Sequence, residues 1–304
     1  MTIHAKKQRL PDNGARLHVE PGSETVLAQA ELASSDALFS YAHGESLGKP
    51  GLASWRERVR LTIPDGRQMR TFYLKRFTNP PAAARRQVRR CGNGARSVAG
   101  VEWNWLHELR AKGIGCAEPV ALAEEFTRGR ERRSAIIMAA VPGRSLEAWS
   151  KEWTALDRAA VAHFIAATAQ ITARLHALGC VHRDLYLAHF FGDLPRPLAG
   201  ARGLESPVAN RCHMNPLVHL IDLQRVFRPR CCFRRWVVKD LASLYFSALD
   251  QLPRGMLSRT QALRWLKQYL ETSKLHPTDK RLAYRVIGRA QHMARRHGRP
   301  GATD

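Results

Sequence analysis

The hydrophobic period of the chain changes at Pro142-Gly143. Ahead of that point, β-branched and aromatic residues run in short alternating stretches: "ERVRLTI" (57–63), "MRTFYLKRF" (69–77), "EPVALAEEF" (118–126) and "RSAIIMAAVPG" (133–143). Such runs read as strands, and the Pro-Asp-Gly turn at 64–66 joins the first two into a hairpin. A basic connection rich in Pro and Ala then leads through residue 97 to one helix, "VAGVEWNWLHELRAKGIG", in which Val101, Trp105, Leu106 and Leu109 share a face and Gly113 or Gly115 stops the pattern. Beyond Gly143 the apolar residues recur every three or four positions, in "SLEAWSKEW" (145–153), in the long "ALDRAAVAHFIAATAQITARLHALGC" (155–180) and in "WVVKDLASLYFSAL" (236–249). These read as helices, with a single strand, "PLVHLIDL" (216–223), among them. The expected fold is α+β: a sheet-rich part with one key helix, a narrow hinge near 138–144, and a larger, mainly helical part.

Composition narrows the function classes. An apolar fraction of 44% in 304 residues can bury a full core. No run reaches the roughly 18 uncharged apolar residues of a membrane span, and the first twenty residues lack the apolar stretch of a secretory signal, so a cytoplasmic location is expected. The six cysteines have no framework spacing and read as free thiols; the adjacent Cys231-Cys232 lacks the two-residue gap of a zinc site. The formal charge of +23 is the strongest compositional signal, with basic runs at 84–96, 128–133, 228–235 and 292–299. A field of that sign selects anionic partners, whether nucleic acid, anionic lipid or a phosphorylated glycolipid. The runs at 85–96 and 128–133 contain no aromatic residue for base stacking, which counts against nucleic acid.

Four polar residues stand in an order that carries chemistry. Phosphoryl transfer needs a cation on the donor phosphates, a carboxylate for Mg²⁺ and a base near the acceptor hydroxyl. Lys75 lies within a strand of the first half, and Glu102 near the start of its helix can pair with it. Asp184 follows the long helix in "VHRDLYLAHFF", and Asp222 ends the strand "HLIDL".

These segments, with "LIDLQRV" and "RWVVKDLASLYFSAL", resemble the lipopolysaccharide kinase family, which phosphorylates the inner-core heptose or Kdo sugar and is a branch of the protein-kinase-like fold. The resemblance covers roughly residues 55 to 270 and implies a bilobal protein-kinase-like fold: an N-terminal extension of poor definition (1–35), an N-lobe (36–142), and a C-lobe with basic C-terminal helices (143–304). It implies ATP and Mg²⁺ as cofactors and the lipopolysaccharide core, or another anionic glycolipid, as substrate. It makes Lys75 the contact to the α- and β-phosphates, Glu102 its ion-pair partner, Asp184 the catalytic base and Asp222 the main Mg²⁺ ligand. His182, Arg183 and Asp240 become structural residues of the catalytic loop, Asp240 through backbone hydrogen bonds. His189 stands where protein kinases place Asn, implying a weakened second metal site or a donor to phosphate. Two departures keep alternatives open. Gly44, Gly48 and Gly51 lack the GxGxxG spacing, as in a pseudokinase that binds nucleotide without transfer. Between Asp222 and Asp240 the chain is too short to lay out a peptide substrate, and carries five arginines and one lysine suited to an anionic acceptor. A protein kinase of the same fold and a basic nucleic-acid-binding protein are the remaining rivals. Acceptor contacts are expected from the 193–216 loop, and peripheral contact with an anionic membrane face from the "IGRAQHMARRHGR" end.

Overall fold

The computed structural model describes residues 14–48, 51–66, 68–193 and 218–296. They form two compact units, one of residues up to 105 with 118–140, the other of 106–117 with 141 onward.

The first unit is built on a six-stranded antiparallel sheet. Its elements are β1 (Gly14–Val19), α1 (Glu24–Gln29), α2 (Ser35–Ser40), β2 (Glu45–Ser46), β3 (Arg56–Asp65), β4 (Gln68–Thr78), α3 (Ala82–Cys91), α4 (Val98–Ala111, to this unit as far as Trp105), β5 (Pro119–Thr127) and β6 (Arg130–Ala139). The strand order is β1-β5-β6-β4-β3-β2. Period-two alternation divides the side chains of β4. Phe72 and Leu74 turn to a core with Val59, Leu61, Ile137 and the α1–α2 residues Val26, Leu27, Leu32 and Leu38. Lys75 and Phe77 point to the opposite face, which positions the lysine.

Three sequence expectations change here. Residues 14–35, read as a poorly defined extension, supply β1, paired with β5 from Gly14↔Phe126 to Val19↔Ala121, and then α1; residues 1–13 lie outside the description. The basic connection contains helix α3, which hides little more than Val88 and Cys91, so its four arginines masked the helical period. The hairpin turn lies beyond the Pro64–Gly66 stretch read for it: Asp65 already pairs with Gln68, and Gly66 follows at φ +62. Pro64 therefore lies in β3, beyond the reach of the two-residue β2, where its missing N–H faces no partner strand.

The second unit holds β7 (Arg144–Ser145), α5 (Leu146–Ser150), a 3-10 turn (Trp153–Ala155), α6 (Arg158–Ala177), a 3-10 turn (Leu187–His189), β8 (Phe190–Gly192), β9 (Val218–Leu220), a 3-10 turn (Leu223–Arg225), α7 (Phe233–Gln251), α8 (Arg259–Tyr269) and α9 (Pro277–Arg296). Helix α6 begins at Asp157, whose carboxylate accepts from the Ala160 amide at 2.7 Å, and buries Phe164, Ala169, Ile171 and Leu175. The small sheet β7-β8-β9 was not legible as a whole, because β8 is only three residues long. Gly143 makes its first pairing possible. With φ +82, any Cβ there would lie 2.4 Å from the Gly192 carbonyl carbon, so only glycine lets the two backbones approach. No helix among the described residues is long and apolar enough to cross a membrane.

Candidate active site

In the first unit, Lys75 Nζ donates to both carboxylate oxygens of Glu102 at 2.8 Å. Lys75 is 12% exposed and Glu102 1%, so the pair is desolvated. Glu102 is carried by α4, whose free N-terminal amides are met by side chains from the chain before it and from β6. Val98 N donates to both oxygens of Glu131 at 3.1 Å, Ala99 N to Ser134 Oγ at 3.2 Å, and Gly100 N to Ser97 Oγ at 2.9 Å. Ser97 in turn donates to Glu124. Trp105 Nε1 donates to the Cys91 carbonyl at 2.9 Å and ties α4 to α3.

Glu131 is an unusual cap because burial pushes its pKa up to about 7, against the smaller opposing effect of its hydrogen bonds from Ser134 and Val98. A carboxyl raised in the folded state holds its proton more tightly there than in the unfolded chain. Its contribution to stability is therefore present below the ordinary glutamate range and is lost as pH rises through about 7. Between about pH 4.5 and 7.5 the wild type should lose on the order of 3 kcal/mol relative to Glu131→Gln, whose amide does not titrate. Urea unfolding of both proteins across that range checks it; parallel pH curves would show Glu131 to be solvated.

In the second unit, Asp240 on α7 is fully buried and organises the loop after α6. Its carboxylate accepts from the His182 amide at 2.6 Å and the Arg183 amide at 2.8 Å. His176 Nε2 lies 3.4 Å from the same group, and its Nδ1 is 2.8 Å from the Tyr269 hydroxyl on α8. Lys239 donates to the Arg183 carbonyl; burial lowers its pKa, and Asp184 and Asp240 act against that. These bonds hold Arg183 in the left-handed region at φ +72, its guanidinium 5.5 Å from the Phe227 ring centre and 5.7 Å from that of Trp236.

The loop so held carries Asp184 and His189. His182, buried and shifted toward neutrality by desolvation, donates from Nε2 to the Ile221 carbonyl at 3.0 Å, fixing the residue that precedes Asp222. His189 donates from Nδ1 to the Asp184 carbonyl at 2.5 Å. That bond turns Nε2 toward Asp222, 3.9 Å from Oδ2. Asp222 itself sits at φ +60, the N-cap of the turn Leu223–Arg225, and accepts from Gln224 at Oδ1. Asp184, His189 and Asp222 thus stand as one cluster, and Arg225 Nη1 bridges both Asp184 oxygens at 2.8 and 2.5 Å.

The donor set fits a nucleotide-bound Mg²⁺. Asp222, 23% exposed, offers hard oxygen, and the Nδ1 bond of His189 leaves its Nε2 facing that carboxylate. Among the described residues no group of three or more His, Cys, Asp or Glu could enclose a metal alone. The ion would complete its shell with phosphate oxygens and water, its usual choice at nucleotide sites.

Sequence reasoning did not single out Arg225, Lys239, His176 or Glu131. For Arg225 a signal existed, three positions after Asp222, but it was one of five arginines in the segment. Gly44 has a packing reason: at φ +109, a Cβ would meet Val59, Arg60 and Leu61 of β3 within 3 Å. The 193–216 loop lies, apart from Asp193, outside the described residues.

The two-unit α+β fold is protein-kinase-like. It matches the solved structure titled "WaaP in complex with acyl carrier protein" with a TM-score of 0.62 and 23% identity, covering 92% of this chain and 98% of that one. Residues 60–269 match the lipopolysaccharide kinase (Kdo/WaaP) family, and the chain belongs to it. The lipopolysaccharide core heptose(I) kinase WaaP of Pseudomonas aeruginosa is 30% identical over 175 residues, 55% of this chain and 58% of that protein. A namesake from Escherichia coli is 32% identical over 152 residues, covering 49% and 52%, and that of strain K12 is 27% identical over 205 residues, covering 66% and 71%. The chain thus spans little more than half the length of the first two relatives.

Proposed function

We propose that the protein is an ATP-dependent kinase that transfers the γ-phosphoryl group to a sugar hydroxyl of the lipopolysaccharide inner core, with heptose favoured over Kdo by the names of its relatives. The observation that carries this reading is the cluster of Asp184, His189 and Asp222 on backbone fixed by Asp240. Asp184 orients the acceptor hydroxyl and receives its proton. Asp222 and His189 hold Mg²⁺, which when bound offsets charge on the β- and γ-phosphate oxygens. Lys75, kept in place by Glu102, contacts the α- and β-phosphates. The arginines between Asp222 and Asp240 suit an acceptor flanked by phosphates or carboxylates.

The test is label transfer from γ-labelled ATP to core-dephosphorylated lipopolysaccharide, with a protein extract in parallel and Asp184→Asn as blank. Label in the glycolipid, absent with the variant, supports the reading. Label confined to protein would replace it with a protein kinase.

Access to a lipid-anchored acceptor comes through α9. Its inner side packs Leu282 and Val286 against the core, while Lys280, Arg281, Arg285, Arg289, Arg295 and Arg296 are exposed, with Tyr284 74% and Ile287 37% exposed among them. A basic face with projecting apolar groups suits an anionic bilayer surface. At about 1 kcal/mol per basic residue, Arg285→Glu/Arg289→Glu should weaken co-sedimentation with phosphatidylglycerol vesicles by at least about tenfold. Equal binding of variant and wild type would remove α9 from the contact.

A further inference from the structure

The guanidinium of Arg225 is only partly used. A single nitrogen, Nη1, spans both oxygens of Asp184, whereas an arginine that serves only as an ion-pair partner commonly presents two nitrogens in a fork. Nε is buried and has no hydrogen-bond partner among the described residues. Buried donors are as a rule satisfied; this one is not, so the guanidinium keeps donor capacity beyond its bonds to Asp184.

The mounting of Arg225 is rigid. It ends the 3-10 turn that Asp222 caps, and Leu223, Gln224 and Val226 around it are buried. The residue that takes Mg²⁺ in the reading above and this arginine are therefore placed by one short element, beside the carboxylate that meets the acceptor. The Lys239 ammonium nearby is committed to the Arg183 carbonyl. Charge makes the demand specific. A phosphoryl group in flight carries negative charge on its equatorial oxygens, and here it would pass near two carboxylates, Asp184 and Asp222.

We infer, resting on the kinase reading, that Arg225 is a phosphoryl-contacting residue: it holds Asp184 before transfer and turns its unspent donors to the equatorial oxygens during it. In that step the acceptor oxygen forms a bond to Pγ, and the bond from Pγ to the β–γ bridging oxygen breaks. The electron pair leaves with ADP, and the acceptor proton passes to Asp184. Arg225 exchanges hydrogen bonds and no electrons. An arginine supplied within the same chain in this way is worth about 10³-fold or more in turnover in other phosphoryl-transfer proteins.

The experiment compares the full chain with Arg225→Ala and Arg225→Lys by equilibrium binding of Mg²⁺ and ADP, with and without fluoroaluminate, a planar mimic of the phosphoryl group. Wild type should bind ADP more tightly with fluoroaluminate. Arg225→Ala should bind ADP alone within about threefold of wild type, which also reports that it folds, but lose about 10²-fold or more of the fluoroaluminate gain, the share expected of a charged hydrogen-bond donor on the transferring group. Arg225→Lys should fall between, as a point charge without the fork, and guanidinium ion at tens of millimolar should restore part of the turnover of the alanine variant. If Arg225→Ala keeps the full gain, Arg225 only holds Asp184 and the inference fails while the kinase reading stands. If wild type binds neither ADP nor the mimic, both fail.

Discussion

Asp184→Asn is expected to cut turnover by about 10²- to 10⁴-fold, the range for a positioned general base, with ATP affinity nearly unchanged. The asparagine keeps the shape of the side chain and loses the charge proposed to receive the acceptor proton. The groups assigned to nucleotide and metal, Lys75, Asp222 and His189, are left in place. Fold stability should change little, because the ion pair that is lost lies partly in solvent, with Arg225 39% and Asp184 20% exposed. Exposed pairs contribute at most about 1 kcal/mol. The loop keeps its shape by other means, since its backbone bonds run to Asp240 and the His189 bond is to the carbonyl of residue 184, which asparagine retains. Steady-state kinetics on the dephosphorylated glycolipid, with nucleotide binding measured separately, distinguishes the outcomes. Turnover within a few-fold of wild type would remove Asp184 as the base, and a parallel loss of ATP binding would place it in nucleotide recognition instead.

The cluster was readable as a set of letters but not as a geometry. "VHRD", "LIDL" and "VVKDL" mark positions, yet the bonds joining them span 58 residues from His182 to Asp240 and 41 from Asp184 to Arg225, separations that no local period reports. The strands of the first unit were legible because alternation and burial coincide in β3 and β4, while β5 and β6 are short apolar runs buried along most of their length. Helix α3 was hidden for the opposite reason: a helix that buries two residues and exposes arginines has almost no apolar stripe to read. The buried Glu131 lies within the basic run "RGRERR", where nothing in the sequence marks it; only the fold shows that it faces the first amides of α4. Electrostatics therefore lags pattern in what a sequence discloses, since a charge takes its meaning from what it faces. Arg225 is the clearest instance, one of five similar letters until the turn after Asp222 sets it against Asp184.

Lys75→Met should destabilise the first unit by about 3 to 5 kcal/mol, the cost of leaving a buried charge without its partner. Glu102 is 1% exposed, so the variant leaves its carboxylate buried without the ammonium. The helix that carries Glu102 is anchored independently, at its first amides by Glu131, Ser134 and Ser97 and at Trp105 by the Cys91 carbonyl. The penalty should accordingly stay local and appear as faster hydrogen exchange in α4 and β4. Adding Glu102→Leu removes the orphan charge. Paired apolar replacements of a buried ion pair are often neutral or better, so the double variant should recover most of the lost stability. It should not recover catalysis, because the proposed contact to the α- and β-phosphates needs the ammonium itself. Stability and ATP affinity, measured on the single and double variants together, separate the two roles. Recovery of both would mean that Lys75 serves the fold alone, whereas a single variant as stable as wild type would mean that solvent reaches Glu102.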